Sequence, residues 1–250
     1  MHPELHTYLL RLADDALILG HRNSEWCGHG PVLEQDIALT NISLDEIGQA
    51  RYLYQYAADL QGGETTEDTL AYLRDARDFR NLLLLELPRG DWGFTVMRLF
   101  LFSQFQYLLY RQLEGSSDER LAGIAAKAVK ETTYHLRWSS EWVIRLGDGT
   151  AESHARIARS LEELWPYTGE MFQPSAAEEA IALAGIGPNM TALHGQWESE
   201  VKLIFEEATL EMPPPGWQHS GGKSGYHTEH LGYILAEMQY LQRAYPGCDW

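Results

Sequence analysis

Apolar residues return at every third or fourth position along nearly the whole chain. Leu5, Leu9, Leu12, Ala16 and Leu19 make one such stripe, and Ile37, Leu44, Ile47, Leu53, Ala57 and Leu60 make another. That spacing lines one face of a helix with 3.6 residues per turn. No alternating apolar and polar stretch competes with it, and there is no internal repeat or low-complexity block. The pattern predicts an all-α fold. Long amphipathic helices with short connections predict an antiparallel bundle.

Glycine, proline and cap residues divide the pattern. NSEWCGHGP interrupts the first helix, and Pro31 suits the first position of a second helix that stops at Gly62-Gly63. TTEDTLAYLRDARDFRNLLLLEL opens on a threonine cap candidate followed by acidic residues, so it predicts a third helix reaching Pro88. Residues 91–114 predict an aromatic-rich fourth helix capped by Asp91, and 118–146 a long fifth ended by GDG. Residues 151–172 predict a sixth, with Pro166 as a candidate kink, then a short AAEEAIALAG element and a helix over 190–210. PPPG and SGGKSG flank a loop at about 211–227. A loop of that length is functional or flexible, and the last helix is expected from about Thr228 to Arg243. The 250 residues are expected to form a single helical domain, 1–250.

With 44% hydrophobic residues the chain can bury one sizeable core. Eight Trp and 13 Tyr suit a large aromatic core or a broad interface. Thirty-six acidic residues against 19 basic ones give a formal net charge of −17, which argues against nucleic acid and against an anionic membrane surface. Two cysteines, Cys27 and Cys248, build neither a disulfide framework nor a zinc ligand set, and are expected to be reduced thiols of a cytoplasmic protein. The first twenty residues lack a basic leader, and Arg11, Asp14 and Asp15 break their apolar run, so a signal peptide is not expected. NLLLLEL and FLFSQFQYLLY are too short or too polar to span a bilayer.

Carboxylate-bridged di-metal bundles take one acid from each of two helices and Glu-x-x-His from each of two more, because residues three apart share a face. Here ISLDEIGQARYLYQY offers Glu46 and Gln49, and KETTYHLR offers Thr132 and His135. In the first helix Ala16 stands near the expected acid, with Asp14 and Asp15 beside it, and the fourth helix has Ser103-Gln104 at its centre. Gln is a neutral, weaker donor than imidazole, and Thr supplies no carboxylate. The plainer reading of Glu46 and His135 is two polar core residues satisfied by hydrogen bonds. His227, Glu229 and His230 in YHTEH form a weak metal signal, and SGGKSG reads as a flexible approach to the last helix, with Lys223 within reach of an anionic partner. No Ser-His-Asp set or activated cysteine is present.

EWCGHGPVLEQDIALTNISLDEIGQAR, KETTYHLRWSSEW and GGKSGYHTEHLGYILAEMQYLQRAYPG resemble the structural, ferritin-like C subunits of bacterial phenylacetyl-CoA monooxygenase (epoxidase) complexes of phenylacetate degradation. The resemblance runs along nearly the whole chain. It implies a ferritin-like bundle with additional C-terminal helices and a non-catalytic role. It further implies a partner, a related catalytic subunit that holds the di-iron centre and binds phenylacetyl-CoA. A flavin and iron–sulfur reductase would feed that complex. In such a pairing Glu46, Gln49, Thr132 and His135 are lapsed di-iron positions, and this chain carries no catalytic residue and no cofactor of its own. The alternatives are a carboxylate-bridged di-metal oxidase with an atypical ligand set, and a ferritin-like binding module without a partner.

Overall fold

The computed structural model describes residues 2–248. Eleven helices follow one another among them: α1 (Leu5–Ser24), α2 (Leu33–Gln61), α3 (Glu67–Tyr72), α4 (Leu83–Glu86), α5 (Trp92–Leu113), α6 (Glu119–Gly147), α7 (Ala151–Leu164), α8 (Ala176–Leu183), α9 (Met190–Glu207), α10 (Glu229–Met238) and α11 (Tyr240–Ala244). No strand occurs among the described residues. The all-α expectation holds. The chain groups into two compact units. The first takes the chain up to Pro88 and again from Gly221 onward, and the second runs from Arg89 to Ser220.

The first unit is built on α1 against α2. His6 meets Gln61, Asp14 meets Tyr54, and Gly20 faces Ser43 to Ile47. Positions rise on one helix as they fall on the other, so the pair is antiparallel. A Cβ on Gly20 would lie 3.0 Å from Ile47 Cγ1 and 3.2 Å from the Ser43 carbonyl oxygen, so a larger residue there would crowd the close approach of the two helices. Leu9, Ile18, Leu19, Leu39, Ile42 and Leu53 are wholly buried in the unit. Each such side chain contributes about 1.5–3 kcal/mol by leaving water. Ile37 and Leu44, grouped with Leu53 and Ala57 by periodicity alone, instead point outward at 52% and 62% exposure. Helix α2 therefore carries apolar residues on two opposite faces. It begins at Leu33, two residues after Pro31.

The expected third helix is not continuous. Thr66 caps α3 by accepting from the Thr69 amide, but a 3₁₀ turn at Ala76–Asp78 and an irregular stretch precede the single turn of α4. The reason lies in α1. Asp14 Oδ2 accepts from the Arg80 amide at 2.7 Å, and Asp15 Oδ1 from the Leu82 amide at 2.8 Å. Backbone donors that a helix would use internally are satisfied by these two buried carboxylates. The last helix is also divided. Gln239 separates α10 from α11, and its side-chain amide donates to the carbonyls of Ala71 and Arg74.

In the second unit α5 is buried on nearly every side, from Val96 to Leu113. Around it pack α6, α7 and α9. On α6 the buried positions Leu121, Ala125, Ala128, Thr132, His135, Ser139 and Val143 repeat at threes and fours. Trp197 of α9 reaches into the core and donates its indole N–H to the Leu101 carbonyl at 3.0 Å. The expected Asp91 cap is in place, its Oδ1 accepting from the Phe94 amide at 2.9 Å, and Asp118 Oδ1 caps α6 by accepting from the Leu121 amide at the same distance. Pro166 ends α7 rather than kinking it. The chain passes into 3₁₀ turns at Trp165–Tyr167 and Gly169–Phe172, because proline cannot donate to the helical ladder. Among the described residues no helix is long and apolar enough to cross a membrane.

Candidate functional site

Glu46 and Gln49 sit one turn apart on the inner face of α2 in the first unit, at 0% and 2% exposure. Thr132 and His135 sit likewise on α6 in the second unit, each at 0%. Each pair shares a face of its helix, as the spacing predicts. Thr132 Oγ1 donates to the Ala128 carbonyl at 3.0 Å, with Val129 at 3.3 Å, so its hydroxyl belongs to its own helix. A carboxylate in its place would project further and carry charge. Among the described residues no group of three or more His, Cys, Asp or Glu side chains stands close enough to hold a metal ion. The donors at these four positions do not fit a di-iron site, which needs several carboxylates and imidazoles together.

The two acids of α1 have other work. Asp14, fully buried, accepts from the Tyr54 hydroxyl at 2.5 Å, pairs with the Arg74 guanidinium, and holds the Arg80 amide. Arg74 is also set over the Phe79 ring at 4.2 Å. Burial disfavours the Arg74 cation, but the charge of Asp14 outweighs it and the guanidinium is held more firmly protonated than usual. Burial, reinforced by Asp14, pushes the Tyr54 hydroxyl well above its ordinary value. Asp15 lies 3.5 Å from Arg11. Burial pushes its carboxyl up to about 7, against the opposing pull of Arg11, the Leu82 amide and Lys223.

The segment before the last helices, expected to be a flexible approach, is pinned to the same region. Gly222 is buried, and a Cβ there would lie 2.2 Å from the Asn81 carbonyl oxygen. Gly225 has φ +78° and stands over the Arg77 carbonyl, where a Cβ would come within 2.4 Å. Only glycine passes at both points. Tyr226 lies beneath the Arg77 guanidinium, 4.7 Å from its ring centre. His227 then enters the fold. Its Nδ1 faces Glu86 Oε2 at 2.8 Å and its Nε2 faces the Phe79 carbonyl at 3.0 Å.

Glu86 is wholly buried, yet every part of it is answered. Its carboxylate takes His227, the Thr228 amide at 2.5 Å and the Asn81 amide group at 3.0 Å. Its carbonyl accepts from Arg22 Nε at 3.2 Å and Nη2 at 2.8 Å. With an acceptor at each ring nitrogen, His227 is suited to the doubly protonated form. Burial lowers its pKa, but the hydrogen bond and charge of Glu86, helped by Phe79, raise it above the ordinary value on balance. The metal signal at His227 and His230 therefore resolves into a buried ion pair. Glu229 is exposed, and Arg22 reaches the His230 backbone carbonyl rather than its ring. Lys223, on the same segment, lies near enough to Asp15 for its charge to oppose the rise in that carboxyl's pKa.

Glu86 and its pairing with His227 went unforeseen. The available signal was one acid inside an unbroken leucine run, NLLLLEL, together with a histidine directly after two glycine-bearing turns. A carboxylate so placed needs a partner.

An all-α helical fold with Glu46 and Gln49 on one helix and Thr132 and His135 on another defines the class as a helical, ferritin-like bundle. The chain belongs to the family described as phenylacetic acid catabolic protein, whose family model matches residues 1–250. It is 47% identical over 247 residues to the C subunit of the 1,2-phenylacetyl-CoA epoxidase of Escherichia coli (strain K12), a match covering 99% of this chain and 99% of that protein. The resemblance read in three motifs thus extends from end to end.

Proposed function

We propose that this chain is the structural, non-catalytic C subunit of a phenylacetyl-CoA epoxidase. It pairs with a related helical subunit that holds the di-iron centre and takes the CoA thioester. Electrons reach that centre from a separate flavin and iron–sulfur reductase. The observation that carries the reading is the 47% identity to the C subunit of an epoxidase across 99% of both chains.

The donor set supports the non-catalytic half of the proposal. Gln49 stands where an imidazole belongs. Thr132 stands where a carboxylate belongs, and its hydroxyl is already given to the α6 backbone. Asp14 and Asp15, the acids nearest the expected position on α1, hold Tyr54, Arg74 and two backbone amides instead. Removing one charge and one imidazole also relieves the repulsion that a cluster of buried carboxylates suffers without cations, which costs several kcal/mol per unpaired charge. The proposed place of work is the cytoplasm, where the two free, exposed thiols stay reduced.

Co-expression with the metal-bearing subunit, followed by size-exclusion chromatography and a phenylacetyl-CoA-dependent oxygen uptake assay, tests the reading. A stable complex whose activity requires this chain is expected. A chain that purifies alone with a di-iron complement and oxidises substrate unaided would make it an oxidase in its own right.

A further inference from the structure

Residues 221–244 lie as a strap over the stretch 71–86 of their own unit, and polar groups do most of the holding. Gly222 passes the Asn81 carbonyl and Gly225 the Arg77 carbonyl. His227 and the Thr228 amide meet Glu86. Gln239 donates to the carbonyls of Ala71 and Arg74, and Arg243 to those of Leu73 and Arg74. On α10 the buried side chains are Leu231, Ile234 and Leu235, whereas Tyr233 and Tyr240 stand more than 60% exposed. An element that buries so little apolar surface opens at lower cost than a core such as that of α1 and α2. The strap starts at Gly221, whose φ of +138° suits glycine alone and gives it a pivot.

His227 is the group on which closing turns. Its side chain is 5% exposed, with Glu86 Oε2 at 2.8 Å from Nδ1 and the Phe79 carbonyl at 3.0 Å from Nε2. Two acceptors need two donors, and only the doubly protonated ring has them. A neutral ring would turn one lone pair against a carboxylate or a carbonyl. The charges around it come from every side. Asp14 of α1 favours the cation, as does Glu86. Arg22 of α1 holds the Glu86 carbonyl, and Arg77, Tyr226 and Glu229 line the cleft that His227 shares. We propose that His227 is a proton latch: the strap stays closed while the ring carries both protons and loosens as one piece, with α1 and α2 still packed, when it loses one. The raised pKa of His227 fixes the sign. Closing takes up a proton, so the strap is tightest below the free imidazole value and loosens as pH rises through the raised one, by up to about tenfold per pH unit between the two. Asp15, raised to about 7 with Lys223 of the strap among the opposing charges, titrates in the same direction, and comparison with His227→Gln separates the two.

Native-state thiol labelling reads the opening. With Cys27→Ser and Cys248→Ser as background, Leu231→Cys puts a thiol under the strap and Leu9→Cys puts one in the α1–α2 core, both at wholly buried positions. Labelling rates divided by the thiolate fraction give the two opening constants. The strap thiol should open about tenfold or more ahead of the core thiol. Adding His227→Gln should raise the strap constant alone, and the ratio of variant to wild type should be largest below the free imidazole value and shrink as pH rises. Where a cysteine variant fails to fold, hydrogen exchange of the wild type and of His227→Gln over 229–238 and over α1, corrected for intrinsic rates, gives the same comparison. Strap and core opening together would overturn the strap as a separate piece. A ratio that does not change with pH would overturn the latch.

Discussion

Glu86 and His227 are 141 residues apart in the chain and 2.8 Å apart in the fold. The pair joins the end of α4 to the start of α10, so the C-terminal segment completes the first unit. Replacing His227 by Ala should cost about 3–5 kcal/mol, because a buried carboxylate then loses its charged partner. Denaturant unfolding, with hydrogen exchange across 76–86 and 228–238, measures it. Loss of protection should appear at both ends of the bridge together, and loss confined to the C-terminal side would show that the pair does not join them.

The pH dependence of that unit follows from the same groups. The raised pKa of His227 means that its contribution is complete below the free imidazole value and fades as pH rises through the raised one. Asp15, raised to about 7 by burial, behaves the same way: the fold favours its protonated form, and the advantage is lost as pH climbs through that value. His6 and His21, pulled down by burial, run in the opposite direction and lose their contribution as pH falls. The wild-type curve therefore mixes signs, but a difference isolates one group. The stability gap between wild type and His227→Gln should be widest below the free imidazole value and narrow as pH rises above it. A gap that is flat with pH would remove the charge from the account.

Gly222→Ala should be among the most damaging conservative changes in the chain. A Cβ there would lie 2.2 Å from a carbonyl oxygen, and backbone must move to admit it. The expected loss is about 3 kcal/mol or more. Gly232→Ala, on α10 with nothing within 4 Å of the added carbon, should be neutral or slightly stabilising, since alanine favours helix. Thermal melts of the two variants give the comparison.

Gln49→His should not create a metal site. It restores one imidazole on α2, but Thr132 still supplies no carboxylate and Asp14 and Asp15 remain committed to Tyr54, Arg74 and the 80–82 backbone. Iron titration of the variant should match the wild type.

The helices were legible wherever local rules act alone. Asp91 and the threonine Thr66 cap their helices as their residue types predict, and the buried positions of α6 repeat at helical spacing. What failed was decided at long range. Residues 65–87 carry a helical pattern, yet Asp14 and Asp15 take the Arg80 and Leu82 amides out of the ladder. Periodicity placed Ile37 and Leu44 with the core because apolar spacing does not say which face is covered. SGGKSG read as slack because glycine serves mobility and close approach alike, and only the Asn81 and Arg77 carbonyls across the contact distinguish them. At the candidate site, Glu46, Gln49, Thr132 and His135 were readable from spacing, whereas Glu86 acquires its meaning only from His227.

The central claim is that this chain serves a metal-bearing partner without bringing metal of its own. The direct measurement is reconstitution: iron-free chain, verified by elemental analysis, is added to the iron-loaded partner subunit with its reductase, and phenylacetyl-CoA-dependent oxygen uptake is followed against the amount added. Uptake should be weak for the partner alone and rise with the iron-free chain to saturation near equal amounts. Uptake that the added chain leaves unchanged, or that rises only when the chain itself has been loaded with iron, would contradict the account.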